Sequence, residues 1–124
     1  MSNKISKVLT VLAMLLVASC SSSLDVQLDP EVNAYISQED GKKIRLTAND
    51  KAYAALSQWL DEHRSGWYST SGRYPGGVYI KSADYGIQVT ETHVILYSTT
   101  SSEPRALYIQ QADPNELREV RALR

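Results

Sequence analysis

Residues 43–47, Lys43-Ile44-Arg45-Leu46-Thr47, alternate polar and apolar and set Ile44 and Leu46 on one side, which predicts a strand. The period then changes. Ala52, Leu56, Trp59, Leu60 and His63 fall at i, i+4, i+7, i+8 and i+11, one face of a helix from about Asp50 to His63. Thr47 or Asn49 suits its cap, and Asp50 its first turn. Gly66 ends it, after His63 and Arg64, whose charge suits a helix C-terminus.

Beyond Gly66 the pattern returns to a period of two. A short strand is expected at Trp67 to Thr70, then strands at Val78 to Lys81, Gly86 to Thr90, His93 to Ser98 and Ala106 to Gln110. Val94-Ile95-Leu96-Tyr97 is apolar on both faces, as in a central strand. Ala83-Asp84-Tyr85-Gly86 and Glu91-Thr92 are of hairpin length. Asp113-Pro114-Asn115-Glu116 combines a capping acid, a proline at the first helical position and a glutamate at the third. It predicts a last helix over Pro114 to Leu123 presenting Leu117, Val120 and Leu123. The expected class is α+β: a small antiparallel sheet of about five to six strands with two helices packed on one face.

The first residues follow another logic. Met1 to Lys7 carries Lys4 and Lys7 and no acid, and Val8 to Ala18 is apolar apart from one Thr. Ala18 and Ser19 are small, and Cys20, the one cysteine of the chain, comes next. Basic start, short apolar run and small-residue end are the parts of a secretory signal. The run is too short for a bilayer-spanning helix, which needs about 20 residues.

Val17-Ala18-Ser19-Cys20 resembles the lipobox of bacterial lipoproteins. The resemblance covers residues 1–20 and implies diacylglycerol on the Cys20 thiol, cleavage just before it, and acylation of the new amino group. In enteric-type lipoproteins an Asp after the cysteine favours inner-membrane retention. Ser21 therefore implies the periplasmic face of the outer membrane. One acyl chain holds a protein weakly, whereas two or three make release negligible. The organisation expected is a signal at 1–19, a flexible tether at 20–40 and one α+β domain at 41–124. Ser21-Ser22-Ser23, scattered acids and Pro30 motivate the tether. Val26, Leu28, Val32, Tyr35 and Ile36 leave room for an edge strand within it.

Charge narrows the partners. The full chain has 13 basic and 14 acidic residues; loss of Lys4 and Lys7 with the signal leaves 11 against 14, a net −3. Nucleic acid, which needs a basic stripe, is disfavoured. With Cys20 committed to lipid, no disulfide is left to the mature chain.

The sequence has no HExxH, CxxC or calcium loop, no Gly-rich phosphate loop and no GxSxG elbow, so no metal, cofactor or catalytic residue is assigned. His63 and His93 read as a capping or core residue and a strand-opening residue. Arg118, Arg121 and Arg124 suit either a helix C-terminus or anionic lipid and peptidoglycan, the former being the simpler reading.

Chemistry points instead to contact. The chain has eight Tyr, two Trp and no Phe, and Ser65 to Gly77 is rich in Tyr, Trp, Ser, Gly and Arg. Rigid aromatics supply contact area at low entropic cost. Trp67, Tyr68, Arg73 and Tyr74 are the candidate binding residues, with Trp67 better suited to the core and the other three equally suited to a plain turn; Tyr79 and Tyr85 extend the patch. A sheet with one helix-covered face leaves the other for docking. The functional expectation is a membrane-anchored, non-catalytic periplasmic module that binds an envelope protein, of the immunity or inhibitor kind. The alternatives are an assembly lipoprotein of an envelope complex and a cell-wall glycan binder.

Overall fold

The computed structural model describes residues 21–36, 42–83, 85–99 and 105–123. The signal sequence, the expected acylation at Cys20, and Arg124 lie outside them. The elements run β1 (Glu31–Ile36), β2 (Lys43–Thr47), α1 (Lys51–Glu62), β3 (Tyr68–Ser69), β4 (Val78–Ser82), β5 (Tyr85–Val89), β6 (His93–Ser98), β7 (Arg105–Gln111) and α2 (Arg118–Arg121). The strands form one seven-stranded sheet in the order β2-β1-β4-β5-β6-β7-β3. Every pairing is antiparallel.

The α+β class holds, with more strand than expected. The added strand is β1, which lies inside the segment read as a tether and sits between β2 and β4. It is neither linker nor edge. Val32 and Ala34 are fully buried, and Ala34 lies opposite both Ile44 and Ile80. Its alternation is hidden in the sequence because Ala34 is small and Asn33 and Tyr35 flank it.

Residues 21–30 are also packed. Leu24, Val26 and Leu28 turn inward at every second position and pack against the core. Ser22 and Trp67 exchange backbone hydrogen bonds at 2.7 and 3.3 Å, and Leu24 N–H donates to Arg64 O at 2.6 Å. At the far end Asp29 N–H donates to Ser82 Oγ at 2.9 Å, and Tyr53 Oη donates to Asp29 O at 2.6 Å. Helix α1 leaves β2 at one sheet edge and delivers the chain to β3 at the other. The strap 21–30 returns along it in the opposite sense.

Helix α1 buries Ala52, Leu56, Trp59 and Leu60, the face expected from its period. Asp50 is its cap residue, but its carboxylate takes the N–H of Thr47 at 2.7 Å, bending the chain out of β2. The last helix is shorter than expected, with four residues. The Asp113–Glu116 signals are present: Asp113 N–H donates to Glu116 Oε1 at 3.0 Å. The Arg121 guanidinium then takes the carbonyls of Asp113 and Pro114, at 3.2 and 3.1 Å, and that of Glu116. Leu117 turns to the left-handed region, at φ 57°, before the helix begins. Arg121 is thus a turn staple, and burial lowers its pKa against the pull of Glu116, Asp113 and Glu91.

Candidate contact surface

Two faces follow from the register. Val32, Ile80, Ile87, Val89, Val94 and Leu96 point toward the helices. The alternate positions point away, and five of the eight tyrosines belong to that side or to the loop on it. Tyr35, Tyr79 and Tyr97 come from β1, β4 and β6; Tyr74 packs with them, and Tyr68 pairs with Ile109.

Tyr35 and Tyr79 sit opposite each other in register, with ring centroids 6.5 Å apart. Tyr79 meets Tyr97 edge-on at 5.7 Å. Between them β5 contributes Gly86, and a Cβ there would collide with the Tyr79 ring and hydroxyl. The glycine is what lets the Tyr79 ring lie down on the sheet. Such tilted pairs contribute about 0.5–1.5 kcal/mol each beyond area burial.

The row changes character along its length. Tyr97 is 5 % exposed, Tyr35 38 %. The cover over Tyr97 is the segment from Thr70 to Gly77, and Gln88 holds it. This buried amide donates from Nε2 to Tyr74 O at 2.7 Å and to Gly76 O at 2.6 Å, while its Oε1 accepts Tyr97 Oη at 2.6 Å. Tyr74 Oη is hydrogen-bonded to Thr70 Oγ1. Burial pushes the Tyr79 and Tyr97 hydroxyls above the ordinary tyrosine range; Tyr35 and Tyr97 add to the rise at Tyr79. Tyr79 Oη is buried and has no hydrogen-bond partner among the described residues.

The open half of the face lies over β2, β1 and β4. Lys43 and Arg45 of β2 and Lys81 of β4 share it with Tyr35, Asn33 and Glu31. Arg45 Nε lies 2.8 Å from Glu31 Oε1 across the β1–β2 pair. Among the described residues this patch holds three cations and one carboxylate, in a chain whose acids outnumber its bases. The helix side carries Asp25, Asp61, Glu62, Asp113 and Glu116 together with Lys51, Arg64, Arg118 and Arg121.

The expected binding residues separate. Trp67 is 1 % exposed, and its Nε1 donates to His63 O at 2.8 Å; it is core and presents nothing to a partner. It meets Trp59 edge-on at 5.9 Å, while His63 stacks on Trp59 at 4.1 Å. Trp59 Nε1 donates to Glu116 Oε2 at 2.9 Å, so this cluster joins α1 to the turn before α2. Tyr68 is 53 % exposed on the edge strand β3. Arg73 is exposed on the cover, and Tyr74 is half-buried beneath it. Tyr85 is exposed but shares the strand side of Ile87 and Val89, so it does not extend the row.

Tyr35, Tyr97 and Gln88 lie outside the expected patch, as do the cations Lys43, Arg45 and Lys81, which carry no signal beyond their place in a strand. Tyr35 becomes visible once β1 is recognised, since Val32, Ala34 and Ile36 alternate against it. Tyr97 was read only as part of a strand apolar on both sides. Gln88 gives no sequence signal, because its partners are main-chain atoms of a loop.

No sequence motif for catalysis gains a geometry. His93 Nδ1 pairs with Thr92 Oγ1 at 2.8 Å, and His63 belongs to the tryptophan cluster. Among the described residues no group of three or more His, Cys, Asp or Glu could hold a metal ion. A groove of about 450 Å³ between the strap and α1, bordered by Val26, Gln27, Tyr53, Gln58 and Asp61, contains a single carboxylate. No described helix is long and apolar enough to cross a membrane. No protein-family model, curated protein or solved structure matches the chain.

Proposed function

We propose that the chain is a lipid-anchored, non-catalytic envelope protein that docks an acidic protein partner on the uncovered face of its sheet. The observation that carries this reading is the row Tyr35–Tyr79–Tyr97, exposed at the Tyr35 end and bordered there by Lys43, Arg45 and Lys81. Tyrosine beside cations suits a polar partner surface: the rings give area, and the ammonium groups select carboxylates. The lipobox supplies the location, on the periplasmic side of the outer membrane.

An immunity or inhibitor role fits a small module held where incoming toxins arrive. An assembly role fits the same surface, and a glycan binder would use the same exposed ring without needing the cations. A toxin gene directly beside this one selects the first; an envelope-assembly operon selects the second.

The test is photo-crosslinking in intact cells from a reactive residue placed at Tyr35 or Lys81, and on the helix side at Lys51 or Gln58. A discrete protein adduct from the first pair, absent from the second, is the expected result. Adducts from the helix side alone would overturn the assignment of the face.

A further inference from the structure

The anchor and the fold meet with almost no chain between them. Ser22 is locked to Trp67 by a reciprocal pair of backbone hydrogen bonds, and Leu24 to Arg64 by a third. Two residues of extended chain span at most about 7 Å. If Cys20 carries the lipid, covalent connectivity alone keeps its backbone within that reach of Ser22 and so of the β3 edge, which leaves little chain to let the domain stand away from the bilayer. This step rests on the Cys20 reading above.

What lies at that edge suits a headgroup layer. Ser22 adds to the outer side of β3, beyond the last strand of the sheet. Tyr68 of β3 is 53 % exposed. The register shift between β6 and β7 leaves Leu107 as an extra residue, 45 % exposed, and its carbonyl accepts Thr70 N–H at 3.0 Å. Two of the four exposed large hydrophobic residues among the described ones therefore flank the anchoring point. Tyrosine is enriched at membrane interfaces, where its ring meets acyl chains and its hydroxyl meets water. Of the charges nearby, Arg64 is shared between Asp61 at 2.5 Å and Asp25 at 3.8 Å, and Arg73 and Arg105 are exposed.

We propose that the β3 edge, through Tyr68 and Leu107, is a membrane-contact surface that lies on the bilayer holding the Cys20 lipid. The contact is made by an apolar side chain and an interfacial ring. It fixes the orientation of the domain, with the β2 edge and Lys43 on the side of the sheet farthest from the bilayer.

The test uses the full processed protein, acylated at Cys20, in phosphatidylcholine–phosphatidylethanolamine vesicles. Because Cys20 is blocked by lipid, Tyr68→Cys, Leu107→Cys and Lys43→Cys each offer one thiol for an environment-sensitive fluorophore. Quenchers fixed at headgroup depth should dim the labels at 68 and 107 at least about twofold more than the label at 43. Insertion of ten Gly/Ser residues between Ser21 and Ser22 adds a mean reach of about 17 Å. That insertion should narrow the difference without removing it while the protein still sediments with the vesicles; complete loss of the difference would show that the short link alone holds the edge near the bilayer, and would overturn the contact. Equal quenching at all three positions in the uninserted, vesicle-bound protein overturns the proposal. Absence of acyl mass on Cys20 overturns the anchor reading instead, so the two failures are distinct.

Discussion

Tyr97 Oη donates to Gln88 Oε1 at 2.6 Å, and the other end of the same amide holds the carbonyls of Tyr74 and Gly76. One side chain thus fastens the aromatic row to the loop that covers half of it. All the hydrogen-bonding capacity of the amide used here is spent on β6 and the loop. A buried polar group satisfied in this way is costly to disturb, because each abandoned partner keeps its desolvation penalty.

Gln88→Leu should accordingly destabilise the fold by about 2–3 kcal/mol and free the 70–77 segment. Urea titration measures the first effect. Limited proteolysis in native buffer measures the second, with new cleavage near Arg73 in the variant and none in the parent chain.

Tyr79 predicts the opposite sign. Its hydroxyl is buried without a partner among the described residues, so Tyr79→Phe removes an unsatisfied group and should stabilise the fold by about 1 kcal/mol at neutral pH. Gly86→Ala should do the reverse, displacing the Tyr79 ring at a cost of about 1–3 kcal/mol. Urea midpoints of the two variants against the parent check both signs.

Alkaline pH should weaken the parent fold. Burial raises the Tyr79 and Tyr97 hydroxyls in the folded state, so above the ordinary tyrosine value of about 10 the unfolded chain releases protons that the folded chain retains. Stability is full below that pH and falls as pH rises through it. Tyr79→Phe should flatten the fall, measured as the urea midpoint between pH 8 and pH 11.

The segment 21–29 should behave as part of the domain. Leu24, Val26 and Leu28 cover core, and the strap makes backbone bonds at both ends. Deleting residues 21–29 from the mature chain should cost about 2–4 kcal/mol, since partly burying each apolar side chain contributes about 1 kcal/mol. A thermal melt that stays unchanged would restore the tether.

Helix α1 was legible because Ala52, Leu56, Trp59 and Leu60 keep one period and all four are buried. β4 and β5 were legible because Val78/Ile80 and Ile87/Val89 alternate, and β6 because Val94 to Tyr97 is apolar on both faces. β1 was legible only as room for an edge strand, since Ala34 is too small to mark a core position and the preceding polar run lowers the local hydrophobicity. The last helix was overread because the capping residues of Asp113–Glu116 are real, while the competing claim of Arg121 on their carbonyls is a contact between side chain and main chain. For the surface, the idea of a tyrosine-bearing free face survives in Tyr79. Its centre moved from Ser65–Gly77 to Tyr35, because Trp67 was needed in the core and Tyr74 became a lid.

The most direct test is the affinity of the mature domain for the protein crosslinked from Tyr35. Tyr35→Ala and Lys81→Glu should each weaken the complex about tenfold or more, equivalent to about 1.4 kcal/mol, with Gln58→Ala on α1 unchanged. Full affinity in Tyr35→Ala and Lys81→Glu, with loss in Gln58→Ala, would contradict docking on the uncovered sheet face.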